Sequence, residues 1–161
     1  MKKHFPVLCW LLLTLLWLGV IFGFSSQSGE ASGGLSAIIS QPITDFLSEL
    51  QGGMTKAAEE ELYLLIDGAV RTLAHFSEYA ILGACLTLLF HGIGWNTLWL
   101  PGLCGVIFSV TDEWYQSFAP DRVTDPADVV IDTLGVILGA VIVNLIYHNR
   151  RKKHVHHSCP L

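Results

Sequence analysis

Charge is the scarcest property of this chain. Only 14% of its 161 residues are Asp, Glu, Lys or Arg, where a soluble domain of this length carries about 25%. Together with 52% hydrophobic residues, that shortage points to an integral membrane protein. Basic residues are scarcer still, nine against fourteen acids, and Lys2, Lys3, Arg150, Arg151, Lys152 and Lys153 are six of the nine. No concentrated basic surface is left over, which argues against a nucleic-acid partner. The four cysteines include no C-x-x-C pair, so neither a zinc ribbon nor a thioredoxin-like motif is supported. Cys9, Cys85 and Cys104 fall in apolar runs and Cys159 in the terminal tail, the pattern of small packed thiols. There is no internal repeat and no recognisable nucleophile motif. The first apolar run, 5–24, is followed by no A-x-A site and is longer than the 7–15 residues of a signal-peptide core, so a retained helix is expected.

What the chain does have is four apolar runs, at about 5–24, 72–90, 95–112 and 129–147. About 20 residues of helix reach roughly 30 Å, the thickness of a bilayer core. The expected fold is therefore all-α, a four-transmembrane-helix bundle forming one domain. His91-Gly92-Ile93-Gly94 ends the second run, and its short link to the third predicts an antiparallel hairpin. Trp95, Trp99, Trp114, Tyr115 and Tyr147 lie near run ends, where aromatic belts form. The terminal basic residues place both termini in the cytoplasm, and an even number of spans satisfies both. Segments 25–70 and 113–127 are then extracytoplasmic, and all fourteen acids lie on or just beneath that face. The basic tail, 148–161, is expected to be a disordered terminus, with His154, His156 and His157 at most adventitious metal binders.

Segment 25–70 is too long for an idle connection. Ile38, Ile39, Ile43, Phe46, Leu47 and Leu50 recur at helical spacing, Gly52-Gly53 interrupts, and residues 57–70 resume the pattern. One or two amphipathic helices lying on the outer membrane surface are expected. They would cap the bundle or contact a ligand, and both roles stay open.

Ionisable groups inside a membrane cost several kcal/mol each unless partnered, and they usually mark function. Arg71, His75 and Glu78 are spaced i, i+4, i+7 on one helix face, with Glu78 about 10 Å along from Arg71. Asp112, Glu113 and Gln116 end the third run. Arg122 and Asp125 sit in a loop stiffened by Pro120 and Pro126, and Asp128 and Asp132 are i, i+4 above a Gly135-x-x-x-Gly139 stripe that permits close helix approach. These segments bring charge to one depth. Their simplest mutual solution is a polar pocket open to the outside, with Arg71 and Arg122 balancing several carboxylates. At least six acids compete for the two arginines, and the surplus points to a cation, a shared proton or a polar ligand. A network that only fixes helix register is the competing account.

The chain resembles the VanZ-like family of small membrane proteins. The likeness is carried by Phe24-Ser25-Ser26-Gln27-Ser28-Gly29, by Arg71-x-x-x-His75-Phe76-x-Glu78-Tyr79-x-x-Leu82-Gly83, by Asp112-Glu113-x-x-Gln116-x-Phe118-x-Pro120-x-Arg122 and by Asp125-x-x-Asp128-x-x-x-Asp132-x-x-Gly135. Ala119 and Asp121 stand where the family form has Val and Gly. The resemblance implies a multi-pass protein of a bacterial-type plasma membrane and a link to teicoplanin-type glycopeptide resistance, and it brings no reaction with it. Arg71, Glu113, Gln116, Arg122, Asp125, Asp128 and Asp132 are the candidate ligand-binding residues, with Ser26 and Gln27 set beside them from the first motif. Expected partners are membrane lipids and a lipid-linked envelope precursor or lipoglycopeptide. The two arginines would hold phosphate or carboxylate, and the amphipathic segment would act as a lid. The alternative is an intramembrane hydrolase or transferase on the same substrate class, with His75 as general base oriented by Glu78 or Asp112 and a divalent metal on carboxylate oxygens. No particular metal or cofactor is implied. Transport is disfavoured, because the inner halves of the runs hold little that is polar beyond Thr14, Thr87 and Asn144.

Overall fold

The computed structural model describes residues 5–157 except Asn96, without the side chains of Phe5 or of 150–157. Lys2, Lys3 and Cys159, which the sequence reading used, lie outside the described residues. Five α-helices follow one another: α1 (Phe5–Ser25), α2 (Gly29–Leu50), α3 (Lys56–Gly92), α4 (Trp99–Gln116) and α5 (Pro126–His157). No strand occurs among the described residues.

Local chemistry sets the helix starts. The Ser28 hydroxyl accepts from the Ala31 N–H at the head of α2, and Thr55 does the same for Ala58 at α3, the usual N-cap arrangement. Asp125 Oδ1 accepts from the Ala127 N–H at 2.8 Å, directly before Pro126, whose fixed φ and missing N–H suit a first helical position. Gly52 and Gly53, both at positive φ, make the turn between α2 and α3, as the Gly-Gly break predicts.

Two features differ from the sequence reading. The second apolar run is only the last part of α3, a 37-residue helix about 55 Å long. Glu59, Glu60, Glu61, Asp67 and Arg71 suggest an interruption, but no proline lies between 55 and 92, so nothing breaks the helix. Likewise α5 continues past 147 to His157, making that part of the expected disordered tail helical.

The bundle is organised around α3, which packs most extensively on α5 and also receives α1, α2 and α4; α4 leans mainly on α5. The core joins Ile21, Tyr79, Leu82, Leu86 and Val136, with Trp17, Leu18 and Phe108 against it. Glycine permits the α3–α5 approach. A Cβ at Gly135 would run into the Phe76 carbonyl, one at Gly139 into the Ala80 carbonyl and one at Gly83 into the Val136 backbone. The small-residue stripe therefore works as its spacing suggests. On α1, the Trp17 indole donates to the Glu78 carbonyl at 2.8 Å.

Three helical segments, Pro6–Ser25, Lys56–Gly92 and Pro126–Asn149, are long and apolar enough to cross a membrane, and the chain reads as a membrane protein. The expected four spans are not all met on this criterion. α4 has 18 residues, long enough, but carries Ser109, Asp112, Glu113 and Gln116 on its buried face, so its composition leaves it out although it packs in the same bundle.

The hairpin of α2 with the first part of α3 is packed by polarity reversed from that of a soluble protein. α2 buries Ser36, Ser40, Thr44 and Ser48, one small hydroxyl per turn, and packs on α3. Leu35, Ile38, Ile39, Ile43, Phe46 and Leu50 are exposed. The amphipathic pattern is real, but most of its apolar face points away from the protein, with Leu35 and Ile39 at the edge of a cavity.

Candidate functional site

The polar residues meet where α1 ends, α2 begins, and α3, α4, α5 and the 117–125 loop converge. That loop is fastened first. The Gly29 N–H donates to the Pro120 carbonyl at 2.9 Å, and a Cβ on Gly29 would collide with the Asp121 backbone. Asp121 itself has φ 55°, the left-handed region that Asp tolerates better than most residues. The Asp125 N–H also donates to Glu113 Oε2 at 3.1 Å. The loop thereby delivers Arg122 to α2, where Nη1 donates to Ser32 Oγ at 3.0 Å.

His75, Asp112 and Asp132 come together from three helices, each offering one atom within 4.8 Å of the others. His75 Nδ1 is 3.5 Å from Asp132 Oδ1. Both carboxylates are 1% exposed. Each has one oxygen held by a neighbour: Ser109 Oγ donates to Asp132 Oδ2 at 2.8 Å, and Gln116 Nε2 donates to Asp112 Oδ2 at 3.0 Å. Gln116 also reaches Ser25 Oγ at 3.4 Å. The other oxygen of each carboxylate, together with His75 Nδ1 and the Tyr79 hydroxyl, is buried without a hydrogen-bond partner.

The arginines are arranged otherwise. Arg71 and Arg122 were expected to balance the carboxylates, yet among the described residues neither lies within ion-pair distance of an acid, and the close approach is that of the His75 imidazole to Asp132. Arg122 Nε is buried and unpartnered. Burial and the nearby Arg71 guanidinium hold the Arg122 side chain below its ordinary pKa. Two like charges thus sit close together with no acid bonded to either. The surplus of acids over arginines does not produce salt bridges because the closest acids are turned toward His75 and toward hydroxyl and amide donors.

Two cavities flank this seam. One, of about 220 Å³, has an apolar wall of Phe24, Leu35, Ile39, Val70 and Ala74 and a polar wall that includes Gln27, Ser32, Arg71, His75, Glu78 and Arg122. The other, of about 450 Å³, is more polar and is lined by Asp67, Arg71, His75, Gln116, Asp125 and Asp128 among others. Arg71 and His75 form part of both walls. Gln27 lines the first cavity, whereas Ser26 is exposed and its hydroxyl donates to the Gly23 carbonyl. Glu113 faces the loop rather than either of these cavities. Ser25, Ser32, Tyr79 and Ser109 belong to the site and were not among the candidates. Hydroxyls inside apolar runs resemble ordinary backbone-bonding residues, and only their tertiary partners distinguish them.

Comparisons with curated proteins and with solved structures gave no match. A family model described as VanZ/LLP1 matches residues 10–147, a stretch that contains every element of this site except the first few residues of α1. With the four motifs now seen to converge on one seam, the chain belongs to the VanZ/LLP1 family.

Proposed function

We propose that this membrane protein binds an amphiphile with an anionic head, a cell-envelope lipid, lipid-linked precursor or lipoglycopeptide, in the cavity between α1, α2 and α3. One observation carries the reading: two neighbouring arginines with no acid at ion-pair distance line a cavity that is also lined by Phe24, Leu35, Ile39, Val70 and Ala74. Unpaired guanidinium groups suit phosphate or carboxylate, which they grip through planar, paired donors. The apolar wall suits an acyl or prenyl chain. In this reading α4 makes the fourth crossing, both termini are cytoplasmic, the cavity opens to the outside, and α2 lies over it with its apolar face in lipid. Reduced sensitivity to teicoplanin-type antibiotics would be one cellular consequence.

The test compares polyprenyl phosphate with the matching polyprenol, and teicoplanin with its deacylated form, by native mass spectrometry of the purified chain. The phosphate and the acylated compound should be retained, and Arg122→Lys should lose them while keeping its fold, because a point charge cannot replace the fork. Equal retention of polyprenol, or full binding by Arg122→Lys and Arg71→Gln alike, would sink the reading. The second reading, an intramembrane hydrolase or transferase acting on the same lipids, is favoured by the His75–Asp132 contact at 3.5 Å. In that case Asp132, rather than Glu78 or Asp112, orients the imidazole.

A further inference from the structure

The carboxylates of Asp112 and Asp132 pose a problem that the arginines do not solve. Both are 1% exposed, and they offer oxygens within 4.8 Å of one another and of His75. Two anions that close in a buried setting cannot both stay ionised without a positive partner. Arg71 and Arg122 form no ion pair with them. The imidazole of His75 approaches only one, at 3.5 Å, and the hydrogen-bond geometry is not met, so both facing atoms remain unpartnered.

The direction of the unpartnered atoms is informative. Ser109 occupies the far oxygen of Asp132, and Gln116 occupies the far oxygen of Asp112. Asp132 Oδ1, Asp112 Oδ1 and His75 Nδ1 are left bare, as is the fully buried Tyr79 hydroxyl. Outer donors that saturate one oxygen and orient the other are the usual support for metal-ligating carboxylates. Metal–ligand bonds of about 2.0–2.2 Å place ligand atoms roughly 3–3.5 Å apart. One donor atom from each residue already lies within 4.8 Å of the others, so an approach of about 1 Å would close the set, and the charge of a bound cation would offset the repulsion between the two carboxylates it draws together.

We propose that His75, Asp112 and Asp132 bind a divalent cation of the Zn²⁺ or Mn²⁺ kind. One imidazole nitrogen with two carboxylate oxygens is a mixed set that suits these ions better than Ca²⁺, which takes six or more oxygens. Three protein ligands leave a position for water or for an oxygen of a bound molecule. His75 lines both cavities, and the polar one, bordered by Asp67, Asp125 and Asp128, gives a hydrated cation a route to the ligands. Asp128 and Glu78 are the next charges around His75 and would add to the attraction. The site stands on its own geometry and does not depend on the amphiphile reading.

The experiment uses the full chain in detergent, with His154, His156 and His157 replaced by Ala so that the tail cannot contribute metal. After exposure to Zn²⁺ or Mn²⁺ and exhaustive dialysis, elemental analysis should find about one ion per chain. Added metal should also raise the Tm, since an ion that binds only the folded state stabilises it. Asp132→Asn should abolish both effects. It should not unfold the chain, because it relieves the repulsion between the two carboxylates, so the metal-free variant should melt no lower than the metal-free parent. His75→Gln serves as the second variant, with the same expected loss of metal. Arg122→Lys should keep the ion, which separates a failure here from a failure of lipid binding. Substoichiometric metal with no Tm shift in the parent, or an ion retained by both Asp132→Asn and His75→Gln, would overturn the proposal.

Discussion

Between residues 76 and 84, α3 lies against α5 with glycine at the points of closest approach. Between 57 and 70 it meets α2, whose packed face is a row of serines and threonine. The two contacts are built from small residues for different reasons. In the first, backbone meets backbone beside a core of Tyr79, Leu82, Leu86 and Val136, and dispersion from close contact is what remains once lipid replaces water as the solvent. In the second, hydroxyls turn inward because the outward face is apolar. Ser40 Oγ lies 3.0 Å from Asp67 Oδ1 and 2.9 Å from the Ser36 carbonyl, so this contact is partly polar and specific in register. The polar seam lies between these two regimes, with Arg71 and His75 at the point where α3 passes from one to the other.

The largest effect is expected from forcing the first contact apart. Gly139→Leu places a branched side chain against the Ala80 carbonyl and the Ala84 backbone, neither of which can rotate away. Overpacking ordinarily costs about 1–3 kcal/mol and occasionally more, and backbone neighbours place this substitution at the upper end. Loss of the peak of folded protein in detergent gel filtration is the expected outcome. A variant that elutes and melts like the parent would show that α3 and α5 are not held by backbone proximity.

A smaller and local effect should come from the second contact. Ser40 is completely buried, and Ser40→Leu inserts volume between α2 and α3 while removing the bond to Asp67. The expected cost is about 1–3 kcal/mol, confined to the hairpin. Hydrogen exchange should therefore rise over α2 and the first half of α3 and stay unchanged in α5. Uniform acceleration along the chain would mean that the two regimes form one cooperative unit.

The same contrast explains what was legible in the sequence. Arg71, His75 and Glu78 share a face because helical spacing alone decides it, and Asp132 points into the bundle because Gly135 and Gly139 lie beneath it. Periodicity also disclosed that α2 is amphipathic. It did not disclose that the row Ser36, Ser40, Thr44 and Ser48 is the face that packs on α3, since small hydroxyls carry no hydrophobic signal. The continuity of α3 was hidden by its run of acids, which resembles a helix boundary although no residue there breaks the backbone. The charge pairing was misjudged for a physical reason too. Proximity in depth says nothing about orientation, and Ser109 and Gln116 satisfy carboxylates that the arginines were expected to neutralise. Ser109 lies 23 residues from the acid it serves and nothing in its local context marks it, whereas Gln116, a candidate from its motif, sits one helical turn from Asp112 and only its bond to that carboxylate was hidden.

The smallest expected effect on stability is also the one that discriminates most at the seam. If Arg71 anchored a buried ion-pair network, removing it would strand a charge and cost about 3–5 kcal/mol. Here Arg71 makes no ion pair and lies near Arg122, whose guanidinium is already disfavoured by burial and by this neighbour. Arg71→Ala removes the repulsion with Arg122 and a through-space attraction to Asp128 but no bonded partner, so the Tm in detergent should stay close to that of the parent, as should that of the exposed control Lys56→Ala. Binding of polyprenyl phosphate should nevertheless fall, since one of the two guanidinium groups facing the cavity is gone. A clear drop in Tm for Arg71→Ala alone would restore the ion-pair network as the reason for these charges. Unchanged Tm with unchanged lipid binding would leave Arg122 to carry the anion by itself.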